Sequence, residues 1–145
     1  MAINDVQVTD LKIIHNPAGD VYHILKAREQ SYAGFGEAYF SSIAPGIIKP
    51  WKKHNRMTLN LVVIMGCIKF VIYDDREGSV SNGSFQEVIL SPDLNYSRIT
   101  VPPGLWMAFE GLGQIHSFLV NIADLDHDPE EVERVELDDI KYKWS

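Results

Sequence analysis

The sequence predicts an all-β protein, and the pattern of its apolar residues carries that prediction. Short stretches rich in Val, Ile, Tyr and Phe recur at a spacing of roughly 8–12 residues, and Gly, Pro and Asn separate them, as at residues 16–19. Only residues 129–135 have the pattern of a helical turn. This arrangement is typical of a β-sandwich or barrel and not of alternating β and α units.

The predicted strands follow one another along the whole chain. They span residues 6–14, 20–26, 36–43, 58–65, 67–73, 85–90, 96–101, 105–110 and 116–122. The two stretches on either side of Gly66 predict a hairpin of two long strands. Residues 74–84 are polar and predict a loop. The helical turn at residues 129–135 is expected because Pro129 suits a first helical turn and acidic residues follow it.

Length and charge predict one domain with an acidic end. A chain of 145 residues is expected to form a single domain, over residues 1–145. Residues 124–145 hold nine acidic and three basic side chains, so they account for most of the net charge of −7. An acidic, solvated C-terminal tail is therefore expected from about residue 124.

Composition excludes several classes of partner. An acidic chain is a poor nucleic-acid binder, because Lys and Arg contacts with phosphate dominate that affinity. No apolar run approaches the roughly 20 residues of a membrane-spanning helix, and the first residues lack a signal-peptide pattern, so we expect no membrane association and a cytoplasmic location. The single cysteine, Cys67, excludes a disulfide within the chain and is expected to be an inert packing residue.

A group of basic residues is the first candidate for chemistry. Lys52, His54 and Arg56 are spaced two residues apart, so an extended strand would project them from one face. One interpretation is a solvated strand edge whose lysines discourage edge pairing. The other is an anion pocket, joined by Lys49, that binds phosphate or carboxylate through charge-assisted hydrogen bonds. Clustering would lower the pKa of each lysine, and Lys52 would then be a usable base.

Two stretches, residues 46–56 and 101–109, are typical of the two halves of a cupin-type jelly-roll barrel, a double-stranded β-helix. Such barrels often bind a metal through a His-x-His pair, a Glu and a further His after a Pro-x-Gly turn. Two of these histidine positions are Lys52 and Met107 here, and only His54 remains. One neutral ligand does not hold a divalent ion, so neither a metal nor another cofactor is expected.

The chain resembles the dTDP-4-dehydrorhamnose 3,5-epimerase family, in its short cupin-like branch. The resemblance covers roughly residues 18–144 and depends on the order and spacing of several stretches. These are residues 19–22 (Gly-Asp-Val-Tyr), 38–46 (Ala-Tyr-Phe-Ser-Ser-Ile-Ala-Pro-Gly), 48–54 (Ile-Lys-Pro-Trp-Lys-Lys-His), 65–76, 101–106 (Val-Pro-Pro-Gly-Leu-Trp) and 128–131 (Asp-Pro-Glu-Glu).

This resemblance implies a jelly-roll barrel that forms a homodimer by exchanging N-terminal strands. It also implies a nucleotide-diphosphate sugar in the mouth of the barrel, as in polysaccharide biosynthesis. In that family a histidine supported by an aspartate removes the proton next to the 4-keto group, and a tyrosine protonates the opposite face. No metal takes part.

The family's functional residues carry over to this chain only in part. Its base histidine corresponds to Lys52, and its phosphate-binding arginine corresponds to Lys49, which keeps the charge but not the bidentate fork. The histidine after the Pro-Pro-Gly turn corresponds to Met107, and the tyrosine acid corresponds to Val120. The supporting aspartate lies in a C-terminal extension that has no counterpart here. The expected ligand contacts are Lys49, Arg56, Met107 and Asn121.

Three functions remain open from the sequence. The first is a sugar-nucleotide binder that lacks the family's base and acid. The second is an active dTDP-4-dehydro-sugar 3,5-epimerase-like isomerase in which Lys52 or His54 is the base. The third is a non-catalytic assembly subunit whose acidic tail binds a partner.

Overall fold

Two antiparallel β-sheets face each other in the computed structural model, which describes residues 2–144. The twelve strands, in chain order, are β1 (Gln7–Asp10), β2 (Ile13–Ile14), β3 (Val21–Tyr22), β4 (Glu37–Ile43), β5 (Ile48–His54), β6 (Leu59–Met65), β7 (Cys67–Tyr73), β8 (Phe85–Leu90), β9 (Ser97–Val101), β10 (Trp106–Leu112), β11 (Ser117–Ala123) and β12 (Val132–Arg134). Short 3-10 helices lie at Pro129–Glu131 and Leu137–Asp139.

The strand order is that of a jelly roll. The first five-stranded sheet runs β1-β9-β6-β11-β4 and the second runs β12-β5-β10-β7-β8, while β2 and β3 form a separate pair. The predicted all-β, cupin-type jelly-roll fold is confirmed. No helix among residues 2–144 is long and apolar enough to cross a membrane.

The predicted strands differ from the structure mainly at the two ends of the chain. The first stretch is two strands, since β1 pairs with β9 whereas β2 pairs with β3. The second contains only β3. The helical turn expected at residues 129–135 is a 3-10 helix over its first three residues, and the rest continues into β12, which pairs with β5.

The main core lies between the two sheets. Side chains alternate along each strand, so Leu61 and Val63 of β6 point inward while Val62 packs on the outer face. On the facing sheet, Ile68 and Phe70 of β7 enter the same core. This alternation also decides which residues of β4, β5 and β11 can reach the space between the sheets.

The C-terminal segment packs on the outer face of the second sheet and differs there from the expected solvated tail. Trp51, which is fully buried, lies under it and donates from Nε1 to the carbonyl of Leu137 at 3.2 Å. Tyr142 and Trp144 belong to the same apolar cluster. The aromatic and aliphatic residues interspersed among the acids explain the difference, since they cover apolar surface that the barrel exposes.

The hairpin predicted around Gly66 is present as β6 and β7. Gly66 has φ +81°, in the left-handed region, and a Cβ there would lie 2.2 Å from Ser117 Oγ and 2.8 Å from Ser117 Cα. Ser117 Oγ in turn accepts from the amide of Cys67 at 2.9 Å. The turn therefore requires glycine for its conformation and for the close approach of β11.

Replacing Gly66 with alanine is expected to destabilise the fold more than the same change at Gly78. Gly78 has φ +78°, but nothing lies within 4 Å of the position of its Cβ. Both variants pay the left-handed backbone cost of about 1 kcal/mol, and Gly66→Ala adds overpacking of about 1–3 kcal/mol. Urea unfolding of the two variants measures the difference, and equal free energies of unfolding would contradict the steric argument.

Candidate functional site

A cavity opens between the two sheets, and most of the predicted site residues line it. Its apolar part is formed by residues such as Leu61, Leu119 and Phe109. Its polar part draws on strands of both sheets and on the segment before β12. The polar and basic lining residues are Tyr39, Ser41, Lys49, Lys52, His54, Asn121, His127 and Arg134.

An irregularity in β5 decides which basic residues face the cavity. Lys52 pairs with Met107 and Lys49 pairs with Phe109, so β5 has one residue more than β10 between these pairs. Such a bulge re-aims the neighbouring side chains, and Pro50, which cannot donate to the ladder, lies within it. Lys49 and Lys52 therefore share the inner face although they are three residues apart.

Two cations at the mouth of the cavity have no acidic partner among residues 2–144. Lys52 and Arg134 are directly opposite each other on β5 and β12. Lys49 also lines the cavity and donates to the carbonyl of Ser42 at 2.7 Å. Burial first, and then the charges of Arg134 and Lys49, lower the pKa of Lys52. The direction is the one expected from clustering, but desolvation is a larger cause than the neighbouring charges.

His54 is held by a buried carboxylate. Its Nδ1 forms a short hydrogen bond with Glu131 Oε1, and Glu131 is only 3% exposed. Glu131 Oε2 also accepts from the backbone amides of Arg56 at 3.1 Å and Met57 at 3.2 Å. Burial alone would raise the pKa of Glu131, but these hydrogen bonds outweigh it and lower the pKa. Glu131 is therefore a carboxylate that accepts a hydrogen bond from Nδ1 of His54, and in the neutral imidazole Nε2 is then the nitrogen with the lone pair.

Backbone hydrogen bonds place this pair at the end of β5. The carbonyl of His54 accepts from the amide of Gly104 at 2.7 Å, and the amide of Asn55 donates to the carbonyl of Glu131 at 2.8 Å. Asp128 caps the 3-10 helix that carries Glu131 by accepting from the amide of Glu130. Both partners are thus fixed by main chain, and their orientation does not depend on a ligand.

A second polar pair lies on the facing sheet. Asn121, at 1% exposure, donates from Nδ2 to the hydroxyl oxygen of Tyr39 at 3.1 Å. Its Oδ1 accepts from the backbone amide of Asn60 at 3.2 Å. Because the amide oxygen is committed to a backbone N–H, the amide nitrogen has to face Tyr39.

The structure brings together five of the six site residues named from the sequence. Lys49, Lys52, His54, Met107 and Asn121 all line the cavity. Arg56 does not. Since β5 ends at His54, the strand alternation stops there, and the exposed guanidinium of Arg56 instead pairs with Asp128 at 2.8 Å.

Several residues of the site are not predicted from the sequence, and one lies elsewhere than predicted. Arg134 reaches the cavity because β12 pairs with β5, and β12 is too short to be recognised by its pattern. Tyr39 was visible only as part of the stretch at residues 38–46. Val120, the position assigned to the family's tyrosine, packs with Val62 and Tyr96 on the outer face of the first sheet, away from the cavity. No sequence signal joined Glu131 to His54 across 77 residues.

Cys67 and possible metal ligands are the other candidates for chemistry outside the cavity. Burial raises the pKa of the Cys67 thiol, which favours its protonated form. In the described part of the chain, no group of three or more His, Cys, Asp or Glu side chains is placed to hold a metal ion.

Comparison with known proteins places these features in a family. The chain is 34% identical to a dTDP sugar isomerase from Desulfovibrio desulfuricans G20, with a TM-score of 0.91, over 94% of this chain and 87% of that one. It is 29% identical to Agl13 of Haloferax volcanii, a probable low-salt glycan biosynthesis epimerase, over 94% of this chain and 89% of the relative. A dTDP-4-dehydrorhamnose 3,5-epimerase from Elizabethkingia anophelis NUHP1 shares the fold at a TM-score of 0.84, with 17% identity over 99% of this chain and 83% of that one. No protein-family model matches the chain.

The chain belongs to the dTDP-4-dehydrorhamnose 3,5-epimerase family, and it is an epimerase- or isomerase-like protein of the dTDP-sugar type. The resemblance stated from the sequence motifs is thereby confirmed.

Replacing Lys52 with methionine is expected to stabilise the protein at neutral pH by less than about 1 kcal/mol, since the mouth is partly solvated. The folded-state pKa of Lys52 lies below its ordinary value of 10.5, so the unfolded chain binds more protons in the alkaline window between the two. The free energy of unfolding of the wild type therefore rises with pH across that window. The stability difference between the variant and the wild type shrinks as the pH approaches 10.5.

The matched control for this change is Lys53→Met. Lys53 pairs with Glu133 at 3.4 Å and lies over the ring of Trp106, so its loss should not stabilise the protein. Chemical denaturation at several pH values measures both variants. If the Lys52→Met protein is less stable than wild type at pH 7, then the surroundings of Lys52 do not destabilise its positive charge.

Proposed function

We propose that this protein binds a dTDP-type nucleotide sugar in the cavity and moves the proton next to its 4-keto group, with His54 as the base. The observation that carries this proposal is the His54–Glu131 pair, which lines the same cavity as the unpartnered cations Lys52 and Arg134. The substrate class follows from the relatives, whose names refer to dTDP sugars and to glycan biosynthesis.

Binding of the nucleotide sugar is proposed to depend on the positive charges at the mouth of the cavity. A diphosphate needs several donors, and charge-assisted hydrogen bonds from Lys and Arg are the strongest that side chains supply. Lys52 and Arg134 repel each other across β5 and β12, so an anion between them would relieve that repulsion. Arg134 also supplies the planar fork that Lys49 lacks.

Removal of the proton next to the keto group is proposed to depend on the tautomer of His54. Glu131 keeps the proton on Nδ1, so Nε2 accepts the proton removed from the carbon beside the keto group, and the carboxylate stabilises the imidazolium that forms. Lys52 is the alternative base, and its lowered pKa favours such a role. His54 is the better candidate because a buried partner orients it, whereas Lys52 has no hydrogen-bond partner among the described residues.

A second candidate function is ligand binding without turnover. It is favoured by Lys52 and Met107, which occupy positions where the resembled family has histidines. In this case the cavity would bind a nucleotide sugar through the same cations, but solvent exchange at the sugar would be absent.

Deuterium incorporation from solvent into a dTDP-4-dehydro sugar tests the proposal. Wild type is expected to catalyse exchange next to the keto group, and His54→Ala should lower its rate about 10²–10⁴-fold, the usual contribution of a general base. Glu131→Gln should lower it less, since Nδ1 keeps a partner. His116→Asn, an exposed histidine outside the cavity, is the control and should exchange like wild type.

The outcomes separate the candidates. Protection of wild type against thermal unfolding by dTDP, without any exchange, would favour the binder. Loss of exchange in Lys52→Ala but not in His54→Ala would identify Lys52 as the base. Exchange that persists in both His54→Ala and Lys52→Ala would remove both residues from the mechanism.

Nucleotide affinity is expected to follow the cations of the mouth. Arg134→Ala should weaken dTDP binding by roughly 10- to 100-fold, because a charged hydrogen bond contributes about 1.5–3 kcal/mol. Arg56→Ala is the matched control, since its guanidinium faces Asp128 outside the cavity. Calorimetric titration at low and high salt measures both variants. Equal affinities for the two variants would place the diphosphate elsewhere.

The homodimer and the cytoplasmic location stay predictions. The outer face of the first sheet supports the homodimer, because Phe40, Ile64 and Phe118 expose apolar surface beside one another on β4, β6 and β11. Participation in polysaccharide biosynthesis is part of the proposal, and the relative from Haloferax volcanii supports it.

A further inference from the structure

We propose that Tyr39 is the hydrogen-bond donor that stabilises the enolate oxygen formed when His54 removes the proton, an inference that rests on the proposed function. Tyr39 is on β4, at the edge of the first sheet, and His54 is on β5 of the second sheet. Both line the cavity between the sheets, so a sugar bound there meets the base from one sheet and the phenol from the other.

The direction of the phenolic proton follows from a chain of buried hydrogen bonds. The oxygen of Tyr39 accepts from Asn121 Nδ2, so the hydroxyl proton has to point elsewhere. Among residues 2–144 no acceptor for that proton is present, and Tyr39 is 42% exposed. The phenol is thus an unused donor at the cavity wall, aligned by an amide that cannot turn.

Asn121 is fixed in turn by Asn60. Asn121 Oδ1 accepts from the amide of Asn60, while the Asn60 side chain donates to the carbonyl of Ser31 at 3.1 Å and accepts from Thr100 at 2.6 Å. Asn60 and Asn121 are both buried. A buried polar network with every partner in place holds a rigid geometry, which is what preorganised stabilisation of a developing charge requires.

The chemical step needs such a donor. When Nε2 of His54 takes the proton, the electron pair of the C–H bond forms a C=C bond with the carbonyl carbon, and the carbonyl π pair moves to oxygen. The new oxyanion accepts the hydrogen bond of the Tyr39 hydroxyl, and return of a proton to carbon restores the ketone. No oxidant, reductant or co-reactant takes part.

Other donors of the cavity are less suited to this position. Lys49 already donates to the carbonyl of Ser42 and the hydroxyl of Ser41, and it packs over Phe109. Lys52 lies at the exposed mouth, where the diphosphate is proposed to bind. Tyr39, in contrast, is oriented by the buried Asn121 and has no acceptor for its own proton among the described residues.

The test compares Tyr39→Phe with wild type in deuterium exchange, turnover and dTDP affinity. Loss of one oxyanion donor costs about 10²–10³ in rate, so exchange and turnover should fall together by that factor. The dissociation constant for dTDP should change by less than about threefold, because the phenol contacts the sugar and not the diphosphate. The control is Tyr22→Phe, on β3, whose ring packs against Tyr96 outside the cavity.

Each result has one meaning. Exchange and turnover reduced together in Tyr39→Phe, with unchanged affinity and a wild-type-like Tyr22→Phe, supports the enolate role. Unchanged exchange with lost turnover would overturn it, since Tyr39 would then protonate carbon, and unchanged exchange with unchanged turnover would also overturn it. If wild type itself catalyses no exchange, the proposed function fails and this inference fails with it.

Discussion

The buried carboxylate of Glu131 is the constraint on which the arrangement of the site depends. A charge removed from water costs several kcal/mol unless hydrogen bonds replace its hydration. Here the ring of His54 and the amides of Arg56 and Met57 supply them. The chain has to turn immediately after β5 for those amides to reach the carboxylate, and this turn is also what removes the Arg56 side chain from the cavity face. One buried charge thus orients His54 and keeps the side chain of Arg56 out of the cavity lining.

The pairing of β5 with β12 shows different electrostatics on its two faces. On the outer face Lys53 is opposite Glu133, an ordinary attractive cross-strand pair. One residue further, on the cavity face, Lys52 is opposite Arg134. Like charges in direct register destabilise a sheet, and the chain has 20 acidic residues from which a partner could have come. The like charges of Lys52 and Arg134 thus meet where the two strands face the cavity. This is the pattern expected of a site that binds an anion between them.

Features that depend on the local alternation of side chains are predictable from this sequence. Features that depend on how distant strands pair are not. Alternation and turn residues located most strands, and the spacing of Lys52 and His54 placed both on one face, as the structure shows. The bulge that adds Lys49 to that face is a property of the β5–β10 ladder and not of β5 alone. Arg134 reaches the site on a strand of three residues that pairs with β5, and Glu131 reaches it on the 3-10 helix just before that strand; neither element is long enough to give a periodic signal. Tyr39 follows from the β4–β11 pairing, again a contact between distant segments.

The two polar pairs of the cavity have the same construction, and this bears on whether the site only binds or also reacts. His54 is oriented by Glu131, and Tyr39 is oriented by Asn121. Each orienting residue is buried and is anchored by backbone amides, which come from the segment after β5 in one case and from β6 in the other. Electrostatic binding of a diphosphate needs charge at the mouth but no defined tautomer or hydroxyl direction further inside. Proton transfer needs both, because the acceptor and the donor have to be in place before charge develops. A cavity that orients one imidazole and one phenol on facing sheets therefore favours the proposed proton transfer over ligand binding alone.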